Sequence, residues 1–155
     1  MTPRQEQAVE LLFEYVERID QDRLEEWLDL FVEAARYQIV PRENVEQGLP
    51  VSLMLCTNKN MLRDRIVSLR EANEYNLHYC RHLVSAPRVT EIDAERVRLR
   101  ATYSVFQTDL EGNSKLFAVG DYDDEITFVG GQPFFLKKHV VIDSYCVPNL
   151  LAIPL

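Results

Sequence analysis

The chain reads as an α+β fold in which helices pack on one face of a mostly antiparallel sheet. Three observations carry that reading. Apolar residues recur at helical spacing near the start of the chain, strict alternation of period two fills the second half, and glycine-containing turns join the alternating segments in sequence. Helices gathered at one end of a chain and hairpin-connected strands at the other are the pattern of a helix layer on a sheet.

The elements follow in order. Thr2, Pro3 and Gln5 match a capping box with proline at the first helical position, and Val9, Leu12, Val16 and Ile19 then repeat at helical spacing. A second, shorter helix is expected from Leu24 to Phe31, presenting Leu24, Trp27, Leu28 and Phe31 on one face, with Trp27 as a core anchor. A strand near Ala35 to Val40 leads into Pro41 to Pro50, where two prolines and a glycine among charged residues predict a loop of specified shape. The apolar run Val51 to Cys56 and a helix from Asn58 to Arg70 follow, the helix with Leu62, Ile66 and Leu69 as its stripe, Met61 beside it and Arg65 along one edge.

Beyond that point everything reads as strand. Val97, Leu99, Ala101, Tyr103 and Val105 alternate with Arg96, Arg98, Arg100, Thr102 and Ser104, as a half-buried antiparallel strand requires. The turn at Glu111-Gly-Asn113 leads to Leu116 to Phe128, and Gly130-Gly-Gln-Pro133 leads to Phe134 to Ile142.

Length and composition narrow the function. At 155 residues, 46% of them hydrophobic, the chain is expected to form one domain spanning 1–155. A formal net charge of -8 argues against nucleic acid, whose phosphates repel a surface without a basic excess. The opening Met-Thr-Pro-Arg-Gln-Glu has no apolar stretch of the kind a signal peptide needs, and no apolar run approaches a membrane span, so a cytoplasmic location is expected. Cys56, Cys80 and Cys146 are too few and odd in number for a disulfide framework, and are read as small core residues.

Cys80-Arg81-His82 is half of the ligand pattern of a Rieske iron–sulfur centre, which needs two cysteines and two histidines. Neither Cys56 nor Cys146 starts the complementary Cys-x-x-His. A mononuclear iron site wants two histidines and a carboxylate, and His78, His82 and His139 are the whole supply. On a strand His78, Cys80 and His82 share a face but stand about 6.6 Å apart, too far for adjacent ligands. No metal and no cofactor is expected in this chain.

Acid–base candidates for a pocket between helix and sheet include Asp64 and His82, with Asp121, His139, Asp143 and the tyrosines behind them. Against this, Asp64 reads as a helix-surface carboxylate between two arginines, and His82 as a structural histidine bonded to backbone. Asp121, Asp123, Asp124 and Glu125 suggest a cation cluster until strand alternation divides them between faces, which favours a solvated acidic strand end. Arg96, Arg98 and Arg100 are either the wet side of the sheet or a docking surface whose guanidinium forks pair with a partner's carboxylates. Arg63 and Arg65, with Asp64, are read as locking the helix to the sheet or bridging subunits.

The run Tyr37-Gln-Ile-Val-Pro-Arg-Glu-Asn-Val-Glu-Gln-Gly-Leu-Pro50 followed by Met61-Leu-Arg-Asp-Arg-Ile-Val-Ser-Leu-Arg70 closely resembles the small (beta) subunits of aromatic-ring-hydroxylating oxygenases. The likeness continues through Tyr79-Cys-Arg-His-Leu-Val-Ser-Ala-Pro-Arg-Val89, Phe117-Ala-Val-Gly-Asp-Tyr-Asp-Asp124 and Leu136-Lys-Lys-His-Val-Val-Ile-Asp-Ser144 to the tail Pro148 to Leu155. His139 departs from the arginine more common there. Pro41 to Pro50 is most similar to salicylate hydroxylase small subunits, with terephthalate and anthranilate enzymes close behind.

The resemblance implies the cone-shaped, NTF2-like fold of nuclear transport factor 2 and scytalone dehydratase, with the N-terminal helices packed on a curved sheet. It implies a non-catalytic subunit acting on behalf of an alpha subunit that carries a Rieske 2Fe-2S cluster and mononuclear Fe(II), in an assembly of three alpha and three beta chains, the beta chains forming a trimer. Interface candidates are Pro41, Arg42, Glu43, Asn44, Arg63, Arg65 and Arg98, with Leu150, Leu151, Ile153 and Leu155 of the apolar tail. The competing class is a free-standing dehydratase or isomerase of similar fold that uses the cone pocket.

Overall fold

The computed structural model describes residues 1–49, 52–72, 79–143 and 154–155. Helix α1 spans Pro3–Asp20, and its capping box is closed from both sides: Gln5 N–H donates to Thr2 Oγ1 at 3.2 Å and Thr2 N–H to Gln5 Oε1 at 3.0 Å. The buried stripe is Ala8, Leu11, Leu12, Tyr15 and Ile19, rotated from the expected one, so that Tyr15 takes the central place while Val9 and Val16 are half-buried at its edges. Helix α2, Leu24–Leu28, stops short of Phe31, which instead opens strand β1 at Phe31–Pro41. Both Trp27 and Phe31 are buried as expected, but from different elements.

Pro41 to Pro50 differs more. It contains a short helix α3, Arg42–Glu46, where a loop is expected. Pro41 caps it with φ -63, Gly48 N–H donates to the Val45 carbonyl at 3.2 Å, and Leu49 N–H to the Asn44 carbonyl at 2.8 Å. These are the paired bonds of a Schellman closure, and they need Gly48 at its φ of +66. The glycine thus ends a helix that is too short for periodicity to reveal.

Strand β2 is Met54–Cys56 and helix α4 is Lys59–Ala72, burying Leu62, Ile66 and Leu69. The strands β3 (Tyr79–Val84), β4 (Arg88–Glu91), β5 (Arg96–Thr108), β6 (Ser114–Val129) and β7 (Gln132–Ile142) complete a sheet of order β2-β1-β7-β6-β5-β3, with β4 also on β5. All pairings are antiparallel except β1 with β7. Register shifts at Val105/Phe106 and Glu125/Ile126 interrupt the two longest strands, and such bulges bend a sheet. Gly130 and Gly131, with φ of +58 and +79, make the two-residue turn from β6 to β7. A Cβ on Gly120 would lie 1.8 Å from the Val141 carbonyl oxygen, so β6 can approach β7 there only as glycine.

The core is aromatic. Tyr15 packs against Trp27, Phe31, Tyr122 and Phe135 with ring centroids 5.3 to 6.3 Å apart. Beneath these rings Lys138 and Asp124 are both fully buried, joined by a 2.7 Å bond from Nζ to Oδ2. The ammonium lies 3.3 Å from the Tyr122 ring centroid and 4.4 Å from that of Tyr15, and His139 N–H donates to the second carboxylate oxygen. Asp124 is therefore no part of a solvated acidic strand end: alternation sends it into the core while Asp121 and Asp123 lie half-buried on the other face. Burial pushes its carboxyl up to about 6 against the pull of Lys138, and brings the Lys138 ammonium down to about 8.

Lys138→Met leaves a buried carboxylate without its cation, a loss on the order of 3–5 kcal/mol. Because folding raises the Asp124 pKa, its contribution is present at low pH and lost as pH rises through the folded value of about 6. The deficit in Tm of Lys138→Met against the parent chain is expected to be large near pH 8 and to shrink toward about pH 5. Thermal melts at the two values decide it, and equal deficits would contradict the pairing.

Candidate functional site

On the sheet face away from the helices, the even positions of β5 form the floor of a groove of about 610 Å³. Arg42, Arg88, Arg98, Arg100, Asp121 and Asp123 line it. Their commitments differ. Arg98 forks onto Asp123 with bonds of 2.7 and 2.6 Å, and Arg42 is bonded to both Asp121 and Asp143. The Arg98 bond holds the Asp123 carboxyl below the usual carboxylate range, and Arg42 is raised by Asp121 first and Asp143 second. Arg96, just beyond, is taken by Asp93 and Glu125.

Arg88 and Arg100 are left over. They are direct cross-strand partners, both exposed, and neither makes a hydrogen bond or an ion pair among the described residues. Like charges facing each other across a ladder destabilise it, and a carboxylate set between them would relieve the repulsion. Next to this pair the same sheet face turns apolar. Leu83 and Val119 flank Ser104 in register, Leu116 pairs with Phe106, and Leu83, Leu116 and Val119 are 56%, 54% and 36% exposed. A contiguous apolar patch beside uncommitted cations is what an interaction surface requires.

Among the described residues, aromatic rings of the buried cluster lie between the helices and the sheet. Besides the rings, Leu155 enters this core at 2% exposure, its main-chain oxygen accepting from Tyr15 Oη at 2.5 Å and Tyr37 Oη at 3.2 Å. The structure therefore sets Leu155, expected at a subunit contact, inside the chain's own core; Leu150, Leu151 and Ile153 lie outside the described residues. Asp64 is exposed on α4. His82 is buried, but its partner is a carboxylate rather than backbone: Nδ1 lies 2.5 Å from Asp20 Oδ1, and the His82 N–H donates to Asp20 Oδ2 at 2.8 Å. This pair ties β3 to the end of α1, and it is a feature the sequence hides, since Asp20 and His82 are far apart in the chain.

The remaining candidates are surface groups. Pro41, Arg42, Glu43 and Asn44 start α3, with Glu43 exposed. Arg63 and Arg65 are exposed, and Arg63 reaches only as far as Asn60. Arg70 of the same helix ties α4 to the α1–α2 region, bonding the carboxylates of Asp22 and Glu25 and the Asp22 carbonyl. Asp22, at φ 57, holds that carbonyl at the α1–α2 turn.

Cys80 and His82 share the inner face of β3, with Nδ1 of His82 already committed, and His78 and Cys146 lie outside the described residues. Among the described residues no three His, Cys, Asp or Glu side chains are grouped to hold a metal ion. No helix among them is long and apolar enough to cross a membrane.

The comparisons agree with this architecture. A family model described as ring hydroxylating beta subunit matches residues 15–149. The chain belongs to that family. It is 42% identical over 146 residues to the anthranilate 1,2-dioxygenase small subunit of Burkholderia cepacia, covering 91% of this chain and 88% of that one. A beta subunit of the terminal oxygenase component of terephthalate 1,2-dioxygenase from a Comamonas species is 31% identical, over 91% of this chain and 92% of its own.

Among solved structures, a beta subunit assigned to an aromatic-ring-hydroxylating dioxygenase of Novosphingobium aromaticivorans superposes with a TM-score of 0.90 at 36% identity, covering 98% and 97% of the two chains. A structure from the same organism described as a scytalone dehydratase has a TM-score of 0.71 at 15% identity, over 91% and 85%. That likeness concerns fold alone, and it establishes the cone.

Arg88→Glu replaces a like-charge pair with an opposite-charge one. The isolated chain is expected to melt slightly higher, on the order of 1–2 °C, as cross-strand charge pairs allow. Calorimetry of the variant checks this, and a lower Tm would show that Arg88 already has a stabilising role within the monomer.

Proposed function

We propose that this chain is the non-catalytic, structural small subunit of the terminal oxygenase component of a Rieske-type aromatic-ring-hydroxylating oxygenase. Its large subunit would carry the Rieske cluster and mononuclear iron, and the ring substrate would be an aromatic carboxylate. The observation that carries this reading is the 42% identity to a dioxygenase small subunit along nearly the whole chain. The interior supports it, because rings and Leu155 occupy the space between helices and sheet.

On this reading residues 1–155 act as one cytoplasmic domain, and three copies join three large subunits. The surface offered to neighbours is the helix-free sheet face, with Arg88, Arg98 and Arg100, together with the start of α3 at Pro41 to Asn44. Arg63, Arg65, Leu150, Leu151 and Ile153 remain further contact candidates. The chemistry these groups supply is positional: guanidinium forks and apolar side chains hold the large subunits in register, and substrate choice rests with the large subunit.

Co-expression with its large subunit is expected to yield one complex of both chains, while the chain purified alone is colourless and holds no stoichiometric iron. Arg88→Glu with Arg100→Glu is expected to weaken assembly at least about tenfold without lowering the Tm of the free chain. His82→Gln is expected to lower Tm yet keep turnover per assembled complex within about twofold. Light scattering, metal analysis and turnover per complex read these outcomes. A loss of several orders of magnitude in a fully assembled His82→Gln complex would favour the free-standing type of chemistry instead.

A further inference from the structure

We propose that copies of this chain join head to tail, the Arg88 and Arg100 pair of one copy receiving Glu43 and Glu46 of the next. The inference rests on the small-subunit reading for the number of copies, three, and on the described residues for the contact itself.

The first face is cationic with an apolar flank. Arg88 and Arg100 stand directly opposite each other on β4 and β5, with no hydrogen bond or ion pair among the described residues. The groove they line meets a second depression of about 350 Å³ at Ser85 and Thr102, and Leu83 and Val119 line that depression. One contact can therefore cover both the charges and the apolar side chains.

The second face carries the opposite sign. Glu43 and Glu46 of α3 are exposed, and neither side chain makes a hydrogen bond or ion pair among the described residues. Residues three apart on a helix have Cβ atoms roughly 5–6 Å apart, and residues directly opposed on antiparallel strands roughly 4.5–5.5 Å. The two like-charge pairs thus match in spacing, so each guanidinium can take one carboxylate in a charge-assisted bond. This face has apolar neighbours too: Val45 on α3, Leu53 and Leu55 are exposed large hydrophobic residues. Arg42, at the start of α3, bonds Asp121 and Asp143, so the helix presents its acids from a fixed support.

A second copy is the occupant that the charges select. With a net charge of -8, two copies repel at long range, and a specific contact needs local cations set against local anions. Arg88 and Arg100 supply the cations. Because the two faces differ, the contact is heterologous, and such a contact either closes into a ring or runs on as a filament. Leu55 pairs with Gln38, between buried Tyr37 and Ile39, and Arg42 reaches Asp121 in the groove, so the second face also lies on the helix-free side of the sheet. Two neighbours held on one side of a copy favour closure about a common axis.

Sedimentation velocity of the full chain alone, from about 1 to 300 µM, reads the contact, and melts at the dilute end report the single copy. Arg88→Glu with Arg100→Glu, and separately Glu43→Lys with Glu46→Lys, are each expected to weaken self-association at least about tenfold. All four reversals in one chain put opposite charges back at every contact, and are expected to return it to within about threefold of the parent.

NMR of the unaltered chain tests the same contact without a variant. On concentration, the amide signals of Glu43 and Glu46 are expected to move together with those of Arg88 and Arg100. A chain that stays monomeric throughout, unchanged association in either double variant, no recovery with all four reversals, or movement of only one face would each overturn the proposal. Co-expression with the large subunit reads the small-subunit assignment separately, so a complex that forms despite any of these results strikes this contact alone.

Discussion

Tyr15 is the point on which the structure turns. It is the central buried residue of α1, and its ring meets Trp27 of α2, Phe31, Tyr122 and Phe135 of the sheet, and the Lys138 ammonium beneath. Its hydroxyl ends on Leu155. A large aromatic residue seated between helices and sheet fills what would otherwise be a cavity, because protein interiors pack to the density of organic crystals.

The electrostatics divide between core and surface. Inside, a lysine and an aspartate are both pulled toward neutrality by burial and hold each other in a ring-lined core, where the cation gains from the faces of Tyr122 and Tyr15. Outside, Arg42, Arg96 and Arg98 are each matched by carboxylates of neighbouring strands. Arg88 and Arg100 face each other unmatched among the described residues. In a chain with a net charge of -8, two arginines without a carboxylate among the described residues stand on one face beside exposed Leu83 and Val119.

Much of this was legible in the sequence. The capping box at Thr2, the stripe of α4, the period-two strand from Val97 to Val105 and the hairpin turn at Gly130-Gly131 all stand where local chemistry places them, because caps, periodicity and positive-φ glycines act over a few residues. The family resemblance was legible as well, from the order and spacing of its segments. The end of α2 and the existence of α3 were not, since five-residue helices carry too few turns to show a period.

Sequence by itself therefore determined the α+β class, the element order and the family, all of which rest on local patterns and on likeness along the chain. Only the tertiary structure decided which side chains are committed. Alternation could divide Asp123 from Asp124 between faces, but not foresee that one would meet Arg98 at the surface and the other Lys138 in a dry core. Nor could it bring Asp20 to His82, Arg70 to Asp22, or Leu155 to Tyr15 and Tyr37. These pairings join residues distant in sequence, and a partner across the fold is set by how the sheet bends and the helices close on it, which no local pattern encodes.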